Sequence, residues 1–154
     1  MEIADQKIAQ RMEAAKALGY ADNGDGTVTD IRTGLMWKQY LEGQSGADCE
    51  GTVGQFNWDD AMKIPKTVNQ RGFAGYHDWR IPSREELESL VMPERANPAI
   101  STEVFPNTPA SDVWSGSPGA YSAKDAWYVG FDSGYSDLES RRYGLGVRLV
   151  RGGQ

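Results

Sequence analysis

The chain contains few residues that could act as nucleophiles or bind a metal. His77 and Cys49 are its only histidine and its only cysteine, and they lie far apart in the sequence. A zinc site is built from several closely spaced His or Cys ligands, which this chain does not provide. A catalytic triad would have to include His77, but no nucleophile elbow accompanies it. The sequence therefore predicts a structural or surface histidine beside Asp78, and it predicts no cofactor.

Two pairs of adjacent carboxylates, Asp59-Asp60 and Glu85-Glu86, have residue types that could serve as a general acid and base. Each pair falls in the first turn of a predicted helix, where the helix dipole favours negative charge. Stabilisation of the two helices therefore explains both pairs without catalysis. The Gly144-Leu145-Gly146 segment lacks the third spaced glycine of a dinucleotide-binding loop. These motifs favour a protein that is not an enzyme.

The acidic segment from Asp22 to Asp30 resembles the start of a calcium-binding loop. When the segment is aligned at its second Asp-Gly pair, however, Ala21 and Arg32 fall where an EF-hand needs its first and last carboxylates. The other interpretation is a tight turn between paired strands. The sequence favours this hairpin, with strands over residues 27–30 and 35–37, and calcium binding is the alternative.

Length, composition and charge describe one soluble globular domain. The 154 residues are 39% hydrophobic and 25% charged, and the net charge is −6 with a pI near 4.8. This acidity argues against nucleic-acid binding, which usually needs a basic surface. The sequence shows neither an apolar run long enough to cross a membrane nor a signal peptide. A lone cysteine excludes an intrachain disulfide and leaves the compartment open.

The first element is a helix predicted over residues 2–18 and ended by Gly19. Its apolar stripe is thin, so it could be a docking helix, a short coiled-coil lead into an oligomer, or a frayed tail. Residues 1–19 are therefore predicted as an amino-terminal helix or linker. Residues 20–154 are predicted as the ligand-binding domain.

Capping residues mark two further helices. Asn57 can cap the first of them, but Pro65 is expected to kink or interrupt it. Ser83 and Glu86 form a capping box for the second helix, which is expected to end near Pro93. Beyond that proline, the chain is predicted to be irregular as far as residue 111.

The last quarter of the chain carries the main candidate binding surface. Apolar residues alternate over 126–131 and again over 145–149, which predicts two half-buried strands. Arg148 is expected to point away from the apolar face of the second strand. Residues 132–144 form a predicted polar loop that is longer than a hairpin needs. Such a loop is either a binding surface or an ordinary solvated connection.

The composition of this region is typical of binding loops. Between Ser111 and Gly146, 21 of 36 residues are Ser, Gly, Tyr or Asp. Tyrosine offers a large rigid contact area with a hydroxyl, and Ser and Gly adapt at low bulk, as in antibody paratopes. Arg141 and Arg142 could in addition hold a sulfate, phosphate or carboxylate group, although solubility would explain them equally well.

Six short motifs occur in an order that resembles a known family. They are Asp22-Asn-Gly-Asp-Gly-Thr-Val-Thr-Asp30, Thr33-Gly-Leu-Met-Trp37, Asp78-Trp-Arg-Ile-Pro-Ser-Arg-Glu-Glu-Leu87, Val113-Trp-Ser115, Ala126-Trp-Tyr-Val129 and Val147-Arg-Leu-Val-Arg151. Over residues 20 to 151 the series resembles the Legionella collagen-like protein C-terminal domain family. The resemblance implies an α+β, C-type-lectin-like fold with short antiparallel strands, two helices, and a ligand surface on the carboxyl-terminal sheet and loops.

The end of the chain is also similar to the ends of variable proteins that retroelements diversify in bacteria and phages. Such systems mutate adenines, so that AAC codons become NNC codons, which can never encode Lys, Glu or Trp. The residues reachable in this way are Tyr135, Ser136, Asp137, Leu138, Ser140, Arg141, Arg142 and Tyr143. The apolar frame implied to carry them comprises Trp114, Val129, Phe131, Val147 and Leu149.

The resemblance implies a non-catalytic module that presents a variable surface to a receptor, with a fixed glycan-binding adhesin domain as the alternative. The residues expected to contact the ligand are Tyr121, Ser122, Tyr128, Tyr135, Ser136, Asp137, Leu138, Ser140, Arg141, Arg142 and Tyr143. The expected partner is a cell-surface protein or a glycan such as a sulfated polysaccharide, and a surface-exposed, secreted or virion location is suspected. A trimer is suggested by analogy only. Sulfatase-modifying oxidases share the implied fold but use a pair of cysteines, which this chain lacks.

Overall fold

The structure is a computed structural model that describes residues 2–153, with side chains from residue 6 onward. In chain order, the elements are α1 (Glu2–Ala17), β1 (Tyr20–Asp22), β2 (Thr27–Asp30), β3 (Met36–Lys38), α2 (Trp58–Arg71), α3 (Arg84–Glu88), β4 (Asp112–Pro118), β5 (Asp125–Gly130), β6 (Tyr135–Ser140) and β7 (Val150–Arg151). One sheet has the strand order β1-β2-β3-β7 and the other β4-β5-β6, and neighbouring strands pair antiparallel. The fold is α+β, as the sequence predicts.

The amino-terminal helix α1 packs against the first sheet. It ends one residue before its predicted bound, and Gly19 follows with a φ of 88°, a conformation that favours glycine. Ala15 is fully buried in the core, and Arg11 donates to Ala47 O and to the Asp48 carboxylate. The helix is therefore anchored on the rest of the chain, while the proposed division into residues 1–19 and 20–154 stays a prediction.

The acidic segment forms the predicted turn before β2, and this turn joins β2 to the short strand β1, which was not predicted. The predicted hairpin is formed by β2 and β3. The Asp25 carboxylate accepts hydrogen bonds from the N–H and hydroxyl groups of Thr27, and the Asp22 carboxylate accepts the N–H of Gly24. These bonds are typical of aspartates that shape turns. The Asp30 carboxylate accepts the N–H and guanidinium of Arg32 in the following turn. The carboxylates that a calcium site would need thus already hold the turns in place.

Helix α2 runs without a break through Pro65, so the expected interruption is wrong. Asn57 caps the helix as predicted, with its side chain accepting the N–H of Asp60 at 2.8 Å. Apolar side chains before and after the proline, including Trp58 and Val68, pack against the same core cluster. These side chains are half-buried, and the apolar surface they bury on both sides of the proline offsets part of the roughly 3 kcal/mol that an interior proline costs.

The capping box of α3 is present as predicted, but the helix is short. It ends at Glu88 rather than near Pro93. The chain leaves the helix because Leu90 packs into the core and the N–H of Met92 donates to Ala99 O at 2.9 Å. The residues up to 111 that follow form no further helix or strand, as expected.

The Glu86 carboxylate of this box gives a pH-dependent contribution to stability. It accepts both terminal guanidinium nitrogens of Arg80, at 2.8 and 2.7 Å, and the N–H of Ser83 at 2.8 Å. The bonds from Arg80 above all hold the pKa of Glu86 below its ordinary value of 4.5. A depressed carboxylate pKa stabilises the folded state above the unfolded pKa, and this stabilisation is lost as the pH falls through the folded pKa.

Glu86→Gln is therefore expected to flatten the acid limb of the stability profile. Between about pH 5 and pH 3, the free energy of unfolding should fall less in the variant than in the original protein. Urea unfolding at a series of pH values measures this difference. Glu85→Gln is the control, because Glu85 is exposed and has no such partner set. Parallel pH profiles for Glu86→Gln and the original protein would contradict the assignment.

Two apolar clusters fill the core, on opposite faces of the sheet β4-β5-β6. Val113 and Val129 point into a cluster that also contains α3 residues, whereas Trp114 and Tyr128 point into a cluster shared with α2. Because both faces of β4 and β5 are covered, only the edge strand β6 and the adjoining loops of this sheet remain exposed. The buried strands β4 and β5 therefore support β6 and the adjoining loops at the protein surface.

The strand predicted over 145–149 is largely irregular, and only Val150–Arg151 form β7. Arg148 points away from the neighbouring apolar side chains, as expected, but it points into the protein and is only 2% exposed. Its guanidinium donates to Lys38 O, to Gln39 O and to the hydroxyl of Thr108. The alternation in the sequence is real, but both sides of this segment are buried.

Candidate ligand-binding surface

The segment predicted as a long loop is the outer half of a β-hairpin. A tight turn at residues 131–134 joins β5 to β6, and the N–H of Gly134 donates to Gly130 O at 2.8 Å. Gly134 has a φ of 88°, which residues other than glycine rarely adopt. Residues 135–140 then pair with β5 along their whole length. The prediction of a loop over 132–144 is therefore wrong for its central part.

The alternation of a strand divides β6 between two faces of the sheet. Asp137 lies opposite Tyr128 and shares its face, whereas Leu138 lies opposite Trp127 on the other face. On that second face, the hydroxyl of Ser136 donates to a carboxylate of α3. The β6 residues expected to form one binding surface are thus split between two.

Tyr128, one of the residues expected to contact the ligand, is buried. Its ring lies edge-on to Tyr135, with the ring centroids 6.2 Å apart, and only 7% of the residue is exposed. The hydrogen bond to Tyr135, together with burial, raises the pKa of the Tyr128 phenol. Burial also raises the pKa of Asp112, whose side chain approaches the same face of the sheet. Tyr135 therefore covers Tyr128 and is the aromatic residue that solvent reaches here.

The other candidate residues meet at one end of the sheet. There the loop between β4 and β5 lies beside the turn that follows β6, and the N–H of Arg141 donates to Lys124 O at 2.8 Å. We call this surface the loop end. It comprises Tyr121, Ser122, Lys124, Ser140, Arg141, Arg142 and Tyr143.

Arg141 is the best-positioned cation of the loop end. Its guanidinium carbon lies 4.1 Å from the ring centre of Trp58, and its Nε donates to Asp125 O at 3.2 Å. Trp58 is itself held, because its indole N–H donates to Ser115 O at 2.9 Å. An arginine stacked on an aromatic ring keeps its other donors in a defined plane. A ligand that accepts from this arginine meets a group that is already oriented.

A shallow cleft of about 580 Å³ opens beside this arginine. Its lining residues are Asp59, Ala123, Lys124, Asp125, Ser140, Arg141 and Arg142. Three cations thus face two carboxylates. Tyr121 and Tyr143, in the same two loops, are exposed to 103% and 55%, so neither ring is needed for packing. The surface can offer charged donors, carboxylate acceptors and aromatic rings to a polar ligand.

Sequence reasoning missed the contributions of Trp58 and Asp59 to this surface. Both residues were predicted only as the start of a helix, and the segment that holds them against Arg141 is more than eighty residues away in the chain. The bond from the N–H of Trp58 to Arg141 O, at 2.9 Å, forms only in the folded protein. A tryptophan directly after a helix cap, where solvent usually reaches the chain, was the one available signal.

The single histidine and the single cysteine, which were considered for catalysis or metal binding, have structural surroundings instead. His77 is exposed, as predicted, and its Nδ1 lies 2.7 Å from Asn69 O. Cys49 is buried, and this burial raises the pKa of its thiol to about 11. Among the side chains of residues 6–153, no three His, Cys, Asp or Glu are grouped to hold a metal ion.

The fold and surface define an α+β domain with an exposed edge strand and a polar loop end. The chain belongs to the Lcl C-terminal domain family, whose match covers residues 26–151. The resemblance to this family is thereby confirmed. A search of curated proteins finds no match. Among residues 2–153, no helix is long and apolar enough to cross a membrane.

Proposed function

We propose that the chain is a non-catalytic module that binds acidic saccharides, carrying sulfate or carboxylate groups, at its loop end. The proposal rests on Arg141, which is stacked on Trp58 beside a cleft that Lys124 and Arg142 also line. Arginine donors in a fixed plane suit the oxygen atoms of a sulfate or carboxylate. The exposed ring of Tyr121 adds a flat surface on which a sugar can lie.

The proposal includes a C-type-lectin-like fold for this domain. Two small antiparallel sheets, helices flanking the second sheet, and a polar surface made by its edge strand and loops support it. In such an arrangement, a buried scaffold carries exposed residues that can change without loss of the core.

The net charge of the chain limits how such a ligand can bind. At −6, the protein as a whole repels a polyanion, so attraction must come from the few cations of the loop end. Interactions between exposed charges are screened by salt over about 8 Å at physiological ionic strength. Binding is therefore expected to be local, modest and sensitive to salt.

Titration with dextran sulfate, with uncharged dextran as the matched polymer, tests this function. We expect binding of dextran sulfate that weakens at least about tenfold when the salt is raised from low to several times physiological ionic strength. Uncharged dextran should bind far more weakly, because it lacks the oxyanions that the arginines recognise. Equal binding of the two polymers, or no binding of either, would contradict the proposal.

A retroelement-diversified receptor-binding protein is the second candidate function. Its support is that the apolar frame residues Trp114, Val129, Phe131, Val147 and Leu149 are buried, whereas Tyr135, Asp137, Leu138, Arg142 and Tyr143 are exposed. The gene tests this candidate directly. Diversification requires codons that end in C or T at positions 135–138 and 140–143, with a near-copy template and a reverse transcriptase nearby. Codons of other types there, without those neighbours, would exclude it.

A further inference from the structure

Strand β6 is the open edge of the second sheet. On the opposite edge, residues 145–146 run beside β4, with the N–H of Trp114 donating to Gly146 O at 2.9 Å. No segment among residues 2–153 pairs with the outer side of β6. An uncovered edge of six residues presents backbone donors and acceptors to which another extended chain can pair.

The register shows which backbone groups face this open side. The N–H of Phe131 donates to Ser111 O beyond one end of the β4-β5 pair, and the N–H of Arg141 donates to Lys124 O beyond one end of the β5-β6 pair. Hydrogen-bonded and non-bonded pairs alternate along antiparallel strands, so these two bonds fix which residues of β6 direct their N–H and C=O groups toward β5 and which direct them outward. The residues whose backbone groups face solvent are Ser136, Leu138 and Ser140.

Two carboxylates accept two of the three outward N–H groups, those of Leu138 and Ser140. The Asp137 carboxylate accepts the N–H of Leu138 at 2.7 Å, and the Glu139 carboxylate accepts the N–H of Ser140 at 2.9 Å. Each carboxylate thus caps the edge N–H of the residue that follows it. A second copy of β6, paired antiparallel about Leu138, would place Asp137 opposite the Glu139 of that copy. Like charges directly opposite are destabilising, so the edge disfavours pairing with itself.

We propose that the β6 edge binds an extended, basic peptide segment of a partner protein by strand addition. Lysine or arginine side chains at alternate positions of the segment pair with Asp137 and Glu139 and draw these carboxylates off the backbone. The N–H groups of Leu138 and Ser140 are then free, and together with the N–H of Ser136 they donate to the added strand. The charge that blocks self-pairing is the charge that selects a basic partner.

The side chains beside the edge suit such a partner. On one face, Leu138 is 39% exposed next to the half-buried ring of Trp127, over which Arg84 stacks at 4.2 Å. On the other face, Tyr135 is 45% exposed. Tryptophan, tyrosine and arginine are the residue types that most often dominate the binding energy of protein interfaces. Apolar residues at the remaining positions of an added strand would contact Leu138 and Trp127.

A short peptide of alternating lysine and valine with blocked ends is the probe for this inference. Added to the ¹⁵N-labelled full chain, it is expected to shift the amide resonances of Ser136, Leu138 and Ser140 and to slow their hydrogen exchange at least about tenfold. The same peptide N-methylated at alternate residues keeps its charge but cannot form a strand ladder, so it should bind far more weakly. Equal binding of both peptides, or no binding at millimolar peptide, would overturn the proposal.

Protein variants test the role of the carboxylates. Asp137→Asn with Glu139→Gln keeps an acceptor for each edge N–H but removes the charge, and it should weaken peptide binding at least about tenfold. Glu50→Gln with Glu94→Gln, two exposed acids elsewhere, is the charge-matched control and should change binding less than about twofold. Equal weakening by the two double variants would overturn the proposal. Lys124 and Arg142, whose replacement tests saccharide binding, lie outside β6 and leave this edge intact, so failure here is distinguishable from failure of saccharide binding.

Discussion

Arg148→Ala is expected to lower the free energy of unfolding by about 4 kcal/mol. The arginine is only 2% exposed, and its guanidinium donates to Gln39 O at 2.7 Å, to the Thr108 hydroxyl at 3.0 Å and to Lys38 O at 3.1 Å. No carboxylate within residues 6–153 forms an ion pair with it. Burial lowers its pKa to about 10.

The expected loss has two sources that can be separated. Arg148→Ala removes the side chain's volume, leaves a cavity beside Phe105 and takes the guanidinium donor away from three buried oxygen atoms. Arg148→Met keeps most of the volume but removes the same donor, so it should cost less, about 2–3 kcal/mol. Urea unfolding of both variants gives these values, with the exposed Arg142→Ala as the control that should change stability by less than about 0.5 kcal/mol. A loss below about 1 kcal/mol for Arg148→Ala would contradict the structural role assigned to this arginine.

Local signals in the sequence predicted the elements that depend on local chemistry. The caps at Asn57 and Ser83, the glycine stop after α1 and the turn before β2 each rest on bonds between residues a few positions apart. Such bonds form wherever the right residue types occur at the right spacing. The α+β class followed from the family resemblance, and the buried apolar frame followed from the resemblance together with the apolar alternation.

Strand β6 could not be predicted from its own residues. It is an edge strand with neither face fully buried, so Tyr-Ser-Asp-Leu-Glu-Ser carries no apolar alternation. Its conformation comes from pairing with β5, and the four-residue turn that permits this pairing needs the positive φ of Gly134. The polarity that suggested a loop here belongs to an edge strand in which the Asp137 and Glu139 carboxylates accept two of the outward N–H groups.

Burial by distant segments explains the other errors. Arg148 was expected to face away from the apolar side of its strand, but the end of β3 and the chain near Thr108 cover that side. Tyr128 was expected to contact a ligand, but Tyr135 lies across it. The stacking of Arg141 on Trp58 likewise needs both segments in place. Residue spacing carries no signal for contacts of this kind.

Replacing two exposed cations of the loop end is expected to have the largest effect on ligand binding. Lys124 and Arg142 line the cleft, and no ion pair or hydrogen bond within residues 6–153 uses their side-chain charges. Replacing both by glutamate should therefore leave the fold intact. Each charge-assisted hydrogen bond to a ligand contributes about 1.5–3 kcal/mol, so reversing two cations should weaken binding of dextran sulfate at least about a hundredfold.

The comparison of Lys124→Glu/Arg142→Glu with Lys16→Glu/Lys66→Glu tests the central claim most directly. Both double variants change the net charge equally, but Lys16 and Lys66 are exposed residues of α1 and α2 outside the loop end. Isothermal titration with dextran sulfate at low salt, after thermal unfolding has shown that all proteins are folded, gives the dissociation constants. The account predicts at least about a hundredfold weaker binding for the loop-end variant and less than about threefold for its control. Equal weakening in the two variants would show that the ligand senses net charge alone and would contradict a saccharide site at the loop end.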